Sequence, residues 1–310
     1  MIDLDLADRV AIVTGAGAGL GRSYAIALAD RGAKVVVNDL GAQVDGAGSD
    51  PSRADGVVAE IAARGGTAVA EPSSVATPEG GEAIVQRALD EFGQVDILVN
   101  NAGNIELSSF AKLDVRAIST IMDVHLGAAF YVTQPAYRAM LPRKRGSIVF
   151  TTSGVATFGN LGASVYGAAK GGIIGLLHVL KLEAARHGIR VNAVAPMAQT
   201  RLAADVDLSE YGAASAQAVS PDLVAPAVVY LASDACELTG EVWSVGSGSV
   251  SRLFVGRTAG YFKHPDAEGP LTAEEIAEHV DEIQDLTGFD LPPTWPAEWE
   301  MVLQRLRTTP

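Results

Sequence analysis

Cysteine, aromatic residues and positive charge are all scarce in this chain of 310 residues. The single cysteine, Cys236, has no partner for an internal disulfide, so a disulfide scaffold is excluded and a small buried apolar side chain is its expected role. Aromatic residues make up 6% of the chain, and 23 Lys and Arg against 37 Asp and Glu give a net charge of −14. Nonspecific binding to nucleic acid or to an anionic membrane is therefore not expected.

An uninterrupted hydrophobic run of membrane-spanning length is also missing. The most apolar stretch, GGIIGLLHVLKLEAA, is interrupted by His178 and Lys181, and the N-terminal MIDLDLADR lacks the basic and apolar parts of a signal peptide. These absences predict a cytoplasmic protein with no membrane span. What the chain does contain is 48% hydrophobic residues, enough to exclude a disordered chain and to build a large core of one or two α/β domains.

Short apolar runs alternate with helical patterns along most of the chain. Strands are predicted at VAIVT (from Val10), KVVVND, TAVAE (from Thr67), VDILVN (from Val95), SIVFTT (from Ser147), IRVNAV (from Ile189) and EVWSVG (from Glu241). Helices are predicted at about 52–65, 78–92, 112–141, 164–187 and 221–233, besides the one that follows the first strand. This alternation predicts an α/β fold with a parallel sheet that is covered on both faces.

Glycines cluster between the first strand and the first helix, in the sequence TGAGAGLG. Gly15, Gly17, Gly19 and Gly21 permit positive φ and close approach of backbone to a ligand, and the helix beyond offers unpaired N–H groups to a pyrophosphate. Leu20 occupies the sixth place of the usual G-x-G-x-x-G pattern, so T-G-x-x-x-G-x-G is the pattern that fits. A tight turn that needs glycine for geometry alone is the alternative.

Asp39 ends the second predicted strand, twenty-four residues after Gly15. A carboxylate at this point accepts both ribose hydroxyls of an adenosine and repels a 2′-phosphate. Ala18, in the glycine loop, carries no charge that would balance such a phosphate. The pattern predicts NAD rather than NADP, with a solvated strand-end aspartate as the alternative.

Three residues in SGVATFGNLGASVYGAAK carry the predicted chemistry. Ser153 lies thirteen residues before Tyr166, and Lys170 follows four residues later, so Tyr166 and Lys170 share one face of a helix. A tyrosine has an ordinary pKa of about 10, and lowering it to about 7 takes roughly 4 kcal/mol of preferential stabilisation of the phenolate. A nearby ammonium is a suitable cause.

Taken together, TGAGAGLG, NNAG (Asn100 to Gly103) and the three catalytic candidates resemble the short-chain dehydrogenase/reductase family over about residues 5–250. The resemblance implies a doubly wound sheet of about seven strands with a nicotinamide cofactor across the carboxyl ends. It implies Tyr166 as acid/base, Lys170 lowering its pKa and holding the nicotinamide ribose, and Ser153 polarising the substrate oxygen. It also places Asn101 near the adenosine ribose, Ser74 and Val75 beside the adenine, and Thr200 at the carboxamide. No metal ligand is implied.

Within the family, NDLGAQVDGAGSD resembles the extended loop of the (3R)-hydroxyacyl-CoA dehydrogenase unit of peroxisomal multifunctional enzymes. VHLGAAF, NAVAPMAQTR and RTAGYFKHP are similar to that unit as well. The resemblance implies a 3-hydroxyacyl-CoA or steroid side-chain CoA thioester as substrate. Two alternatives remain: a dehydrogenase of a free steroid, polyol or other small alcohol, and a noncatalytic protein that senses or interacts through NAD.

Other parts of the chain carry weaker predictions. His125 stands where the wider family usually has Asn, so it is a candidate for the site, with a structural role beside Val124 and Leu126 as the alternative. Residues 251–310 are predicted to form a helical extension packed on the 1–250 domain, as a lid or an interface.

A homo-oligomer, dimer or tetramer, is predicted by base rate, with the helices at 112–141 and 164–187 at its interface. Candidates for the CoA phosphates are Arg201, Arg252, Arg257, Lys263 and His264, with ordinary surface charge as the alternative.

Overall fold

The computed structural model describes residues 4–43, 48–199 and 215–308. The chain divides into two compact units, Met1–Leu253 and Phe254–Pro310. The prediction that the second unit packs on the first stays a prediction.

The first unit is built on one eight-stranded sheet with the order β3-β2-β1-β4-β5-β6-β7-β8. The pairs from β3 to β7 are all parallel, which confirms the predicted α/β architecture. Its strands are β1 (Val10–Thr14), β2 (Lys34–Asn38), β3 (Thr67–Glu71), β4 (Ile97–Asn100), β5 (Gly146–Thr151), β6 (Ile189–Pro196), β7 (Val242–Gly246) and β8 (Ser249–Leu253).

The eighth strand is a feature that the sequence patterns did not predict. β8 runs antiparallel to β7, and the two residues between them, Ser247 and Gly248, have φ values of 49° and 77°. Two successive positive φ angles are the geometry of a tight hairpin turn. A Ser-Gly pair carries this signal weakly, and the strand itself is exposed and polar, so no apolar run marks it.

Helices cover both faces of the sheet because the parallel strands are apolar on both sides. The helices of the first unit are α1 (Gly19–Ala29), α2 (Ser52–Ala63), α3 (Pro78–Phe92), α4 (Val115–Met122), α5 (Ala128–Tyr131), α6 (Thr133–Met140), α7 (Val155–Phe158), α8 (Ser164–Ala185) and α9 (Ala225–Ala232). α1, α2 and α9 pack in one apolar cluster, and α3, α5, α6 and α8 in another. Short 3₁₀ turns occupy Phe110–Lys112, Leu141–Arg143, Ala216–Val219 and Pro221–Leu223.

The predicted helix at 112–141 is interrupted in two places. A π turn at Asp123–Gly127 separates α4 from α5, and α5 ends at Tyr131 two residues before α6 begins. Pro135 explains the second break, because its ring has no N–H and crowds the carbonyl four residues earlier. The π turn has no comparable marker in the sequence.

One helix among the described residues, α8, is long and apolar enough to cross a membrane by length and composition. In the structure its inner face packs on β6 and on α4 and α7. Lys170, on that inner face, is 3% exposed. The inner face of α8 thus packs against the sheet, while 28% of its most apolar window is buried in all.

The second unit combines short helices with a two-stranded antiparallel sheet. Its elements are β9 (Arg257–Thr258), α10 (Pro265–Glu268), α11 (Ala273–Glu278), α12 (Val280–Gln284), β10 (Phe289–Asp290) and α13 (Trp295–Thr308). α11 begins with a capping box between Thr272 and Glu275, in the segment predicted to be helical. None of the side chains described in this unit is buried.

Candidate active site

The glycine loop between β1 and α1 has the shape of a phosphate cradle. Ala18 precedes α1 and provides no side-chain cap, so the N–H groups of the first turn are not capped by it. Gly15 and Gly19 have φ values of 63° and 55°. A Cβ on Gly21 would lie 2.2 Å from the carbonyl oxygen of Gly15, so a larger residue does not fit there. Leu20 turns inward and packs against the core.

Asp39 closes the far side of this loop. Its Oδ2 accepts a hydrogen bond of 2.7 Å from the backbone N–H of Gly17, and its Oδ1 accepts one of 2.7 Å from the N–H of Gly41. A Cβ on Gly17 would come within 2.8 Å of the Asp39 carboxylate. The negative charge is thus held against the glycine loop, where the resemblance places an adenosine ribose.

Arg53 lies at the same corner and was missed by the sequence patterns. A Cβ on Gly17 would lie 2.9 Å from the Cβ of Arg53. The guanidinium donates to the carbonyl oxygen of Ala42 at 3.0 Å and lies 3.9 Å from the Asp50 carboxylate. Arg53 lies in the first turn of α2, fourteen residues after Asp39 and beyond a long loop, and no spacing rule connects the two.

Asn101 fastens the loop after β4 to the glycine loop. Its Nδ2 donates to the carbonyl oxygens of Thr14 and Gly15, at 3.0 and 3.2 Å. The Thr14 hydroxyl accepts in turn from the backbone N–H groups of Asn101 and Ala102. The observed role of the Asn101 amide is to hold the two loops together. Its contact with a ribose stays a prediction.

Ser74 and Val75 follow β3 in a tight turn. The Ser74 hydroxyl accepts from the N–H of Ala76 at 3.2 Å, and Val75 is 8% exposed within the core. The contact of these two residues with an adenine stays a prediction. Thr200 lies outside the described residues, as does Arg201.

The structure brings Ser153, Tyr166 and Lys170 together at the carboxyl end of β5. Ser153 follows the strand and lies near the Tyr166 hydroxyl, whose pKa it lowers, and α8 carries both Tyr166 and Lys170. The Lys170 Nζ lies 5.8 Å from the centre of the Tyr166 ring and donates to the carbonyl oxygen of Thr151 at 2.6 Å. The described part of the chain has no group of three or more His, Cys, Asp or Glu side chains that could hold a metal ion.

Burial is the main cause of the pKa shifts of Tyr166 and Lys170. Burial raises the pKa of Tyr166 above its ordinary value, and the hydrogen bond with Ser153 opposes the rise. Burial also lowers the pKa of Lys170 to about 7. The net shift of Tyr166 is therefore opposite to the predicted lowering, because desolvation outweighs the hydrogen bond and disfavours the charged form of both groups.

His125 lies against Tyr166, in the π turn between α4 and α5. Its side chain is 3% exposed, and the two ring centres are 5.2 Å apart in an edge-to-face arrangement. Burial first, and the charge of Lys170 second, hold the pKa of His125 well below its ordinary value. The sequence made His125 a candidate, and the structure places it in contact with the site.

An apolar groove opens at the start of the helix that carries Tyr166. It has a volume of about 560 Å³ and is lined by Leu107, Ser108, Ser109, Phe110, Asn160, Leu161, Gly162 and Ser164. Leu161 is 94% exposed and Phe110 81% exposed, although both are large apolar residues. The backbone N–H of Ser108 donates to the carbonyl oxygen of Gly162 at 2.9 Å, which ties the two walls together. The sequence patterns did not reveal this groove.

The basic residues proposed to bind CoA phosphates have partners of their own. Arg252 lies 2.7 Å from Glu241, Arg257 lies 3.6 Å from Glu298, and Lys263 lies 2.5 Å from Glu275. The His264 side chain caps α10, and its Nε2 lies 3.1 Å from the carbonyl oxygen of Leu306. Three of these residues are thus ion-paired in the structure, as the alternative of ordinary surface charge expects, and the binding of CoA phosphates by the set stays a prediction.

Comparison with known proteins agrees with this geometry. Residues 9–210 match the short chain dehydrogenase family. A short-chain type dehydrogenase/reductase of Mycobacterium tuberculosis is 42% identical over 283 residues, which is 91% of this chain and 96% of that protein.

Two further similarities involve much longer proteins. The peroxisomal multifunctional enzyme type 2 of Mus musculus is 41% identical over 289 residues, which is 92% of this chain and 38% of that protein. The solved structure of the full-length Drosophila melanogaster enzyme of the same name matches 98% of this chain and 50% of its own, with a TM-score of 0.80 and 32% identity. This chain therefore spans less than two thirds of the multifunctional relatives that it matches.

Proposed function

The chain belongs to the short-chain dehydrogenase family, and we propose that it oxidises 3-hydroxyacyl-CoA thioesters with NAD as the hydride acceptor. The family makes it an oxidoreductase that uses a nicotinamide cofactor. The observation that carries the proposal is the convergence of Ser153, Tyr166 and Lys170 at the carboxyl end of β5. This arrangement also argues against a protein that only senses NAD, because such a protein needs no acid/base group.

The residues present fit a dinucleotide. The glycine loop and the N-terminus of α1 would hold the pyrophosphate, and Asp39 would accept the adenosine ribose hydroxyls. We propose NAD rather than NADP because Asp39 would repel a 2′-phosphate, and because the guanidinium of Arg53 is already bound to Ala42 and faces Asp50. When bound, the nicotinamide ring supplies the hydride acceptor and a positive charge near Tyr166.

Tyr166 would act as the general base in the oxidation. Its phenolate oxygen takes the proton of the substrate hydroxyl while a hydride leaves the carbon that bears this hydroxyl, so that the alcohol becomes a ketone. Ser153 donates to the substrate oxygen as charge develops on it. Lys170, when protonated, favours the phenolate form of Tyr166. Because the pKa of Lys170 is about 7, its charge changes in the pH range in which the enzyme would work.

The groove supports an aliphatic substrate. Its walls continue from the two segments that carry the catalytic side chains: α7 follows Ser153, and Ser164 stands two residues before Tyr166. The side chains of Lys112 and Arg116 are exposed and follow Phe110 of this wall closely in the chain, and neither makes a hydrogen bond or ion pair within the described residues, where only the backbone of the two residues is bonded. We propose that the groove takes the acyl chain and that these two cations favour the anionic CoA. The loop after β2 supports the same substrate class through its resemblance to the hydroxyacyl-CoA dehydrogenase unit.

We also propose that the enzyme is a homo-oligomer. Exposed apolar side chains on α4 and α8 favour an interface there, namely Val115, Ile118, Val179 and Leu182. The cytoplasmic location stays a prediction.

A substrate panel tests the proposed function. NAD reduction is measured with 3-hydroxyacyl-CoA thioesters of increasing chain length, with the matching free 3-hydroxy acids, and with steroid and polyol alcohols. We expect turnover of the thioesters, with kcat/KM rising as the chain lengthens and fills the groove. Activity confined to free alcohols would reject the thioester proposal and favour the alternative of a small-alcohol or steroid dehydrogenase. The Tyr166→Phe variant is the background control.

A further inference from the structure

His125 is a buried titratable side chain that the proton and hydride transfer described above does not use. It sits at the centre of the π turn Asp123–Gly127, where the helix widens between α4 and α5. Such turns are rare and recur at functional sites. A Cβ on Gly103 would lie 2.5 Å from the Cε1 of His125, so the loop after β4 has a glycine where the imidazole needs room.

The backbone of Asn104 anchors the ring through one of its nitrogens. The Nε2 of His125 lies 2.7 Å from the carbonyl oxygen of Asn104 and 3.2 Å from its backbone nitrogen. When Nε2 carries the proton it donates to the Asn104 carbonyl, and when Nε2 is bare it accepts from the Asn104 N–H, so the ring is anchored to the backbone of Asn104 in either tautomer. Nδ1 has no hydrogen-bond partner in the described structure.

The surroundings keep this ring neutral. The groups that face it are Tyr166 and Lys170 from α8 and Asn104 from the loop after β4, while Asp123 of its own turn is exposed to solvent. Burial and the charge of Lys170 both disfavour protonation. The edge-to-face contact with Tyr166, with ring planes 89° apart, thus comes from a neutral ring that is anchored on its other side.

We propose that His125 is a positioning residue for Tyr166. The bond to Asn104 anchors the imidazole to the loop after β4, and the imidazole then fixes the orientation of the phenol relative to Ser153 and Lys170. A neutral ring does this without placing a second cation beside Lys170. The proposal rests on the proposed role of Tyr166 as the acid/base.

Two substitutions separate anchoring from simple filling of space. His125→Phe keeps an aromatic ring against Tyr166 but loses the donor to Asn104, whereas His125→Gln keeps a neutral amide that can donate to the same carbonyl. For His125→Phe we expect kcat to fall about 10- to 100-fold, because small misplacements of a reacting group have effects of this size. We expect KM to change little and the acid limb of the kcat–pH profile to move to higher pH. His125→Gln should recover most of kcat.

A second readout does not depend on knowing the substrate. Ultraviolet titration of the phenolate, taken as the difference between each protein and its Tyr166→Phe counterpart, should give a higher Tyr166 pKa in His125→Phe than in the unmodified protein. His178→Phe, on α8 and partly buried, is the matched control and should leave both readouts unchanged.

The proposal is overturned if His125→Phe keeps kcat within about twofold and an unshifted Tyr166 titration, a range smaller than the effect expected for a misplaced base. It is also overturned if the Phe and Gln variants lose activity equally and in parallel with thermal stability, because that result indicates packing alone. Failure of the substrate panel would reject the proposed substrate and leave the titration comparison as the test of His125.

Discussion

The two units of the chain differ in what they bury. Met1–Leu253 has apolar clusters on both faces of the sheet, and it also buries Lys170 and His125, each 3% exposed. In Phe254–Pro310 no described side chain is buried, and the contacts within the unit include helix caps, ring contacts and surface ion pairs. A buried ionisable group destabilises a fold unless it is paired, so only a unit with a large core can tolerate one for the sake of chemistry. The contrast explains why the candidate catalytic groups lie in the first unit.

The largest expected effect comes from removing the buried amine. The pKa of Lys170 falls from 10.5 to about 7 on folding, so between these values the unfolded chain binds a proton that the folded chain lacks. Lys170 therefore lowers the free energy of unfolding at and below pH 7, and this destabilisation decreases as the pH rises from about 7 to 10.5. We expect Lys170→Met to abolish turnover yet raise the free energy of unfolding at pH 7 by several kcal/mol, about 4 from the size of the shift.

Urea unfolding at pH 7 and pH 9.5 checks this prediction. The advantage of Lys170→Met should shrink at the higher pH, while Lys181→Met, on the same helix and only partly buried, should show no comparable gain. A Lys170→Met protein that is less stable than the unmodified one at pH 7 would mean that Lys170 stabilises the fold, and the contrast between the units would lose its basis.

The next effect concerns Asp39. Asp39→Asn keeps the size of the side chain and one acceptor oxygen but removes the charge that would repel a 2′-phosphate. We expect the ratio of kcat/KM for NAD to kcat/KM for NADP to fall by about 10- to 100-fold, since one lost charge contact changes binding by about 1–3 kcal/mol. Steady-state kinetics with both cofactors measure the ratio. An unmodified protein that already prefers NADP would contradict the NAD assignment directly.

The smallest effect compares equivalent caps in the two units. Thr77 accepts from the N–H of Gly80 at the start of α3, and Thr272 accepts from the N–H of Glu275 at the start of α11. Either Thr→Ala change removes about 1 kcal/mol from its helix. In the first unit we expect this loss to lower the cooperative unfolding free energy, whereas in the second it should increase amide exchange locally around α11. Equal effects of both changes on global unfolding would show that the second unit is not held by local interactions alone.

Much of the fold follows from the sequence because parallel strands leave apolar runs that alternate with helices. The glycine loop and the Ser153, Tyr166 and Lys170 set were also predictable, since each depends on short spacing. The π turn around His125 and the position of Arg53 beside Gly17 were not, because they depend on how distant segments pack. The raised pKa of Tyr166 was missed for the same reason: spacing reveals a neighbouring lysine but not the burial that opposes its effect.

The most direct test of the account is the turnover of Tyr166→Phe with NAD and a 3-hydroxyacyl-CoA. The ring and its packing stay, and only the acid/base oxygen is removed. We expect kcat to fall by about 10³-fold or more, within the range typical of a lost general base, while the dissociation constant for NADH stays nearly unchanged. A variant that keeps near-full turnover would contradict the role of Tyr166 and with it the proposed mechanism.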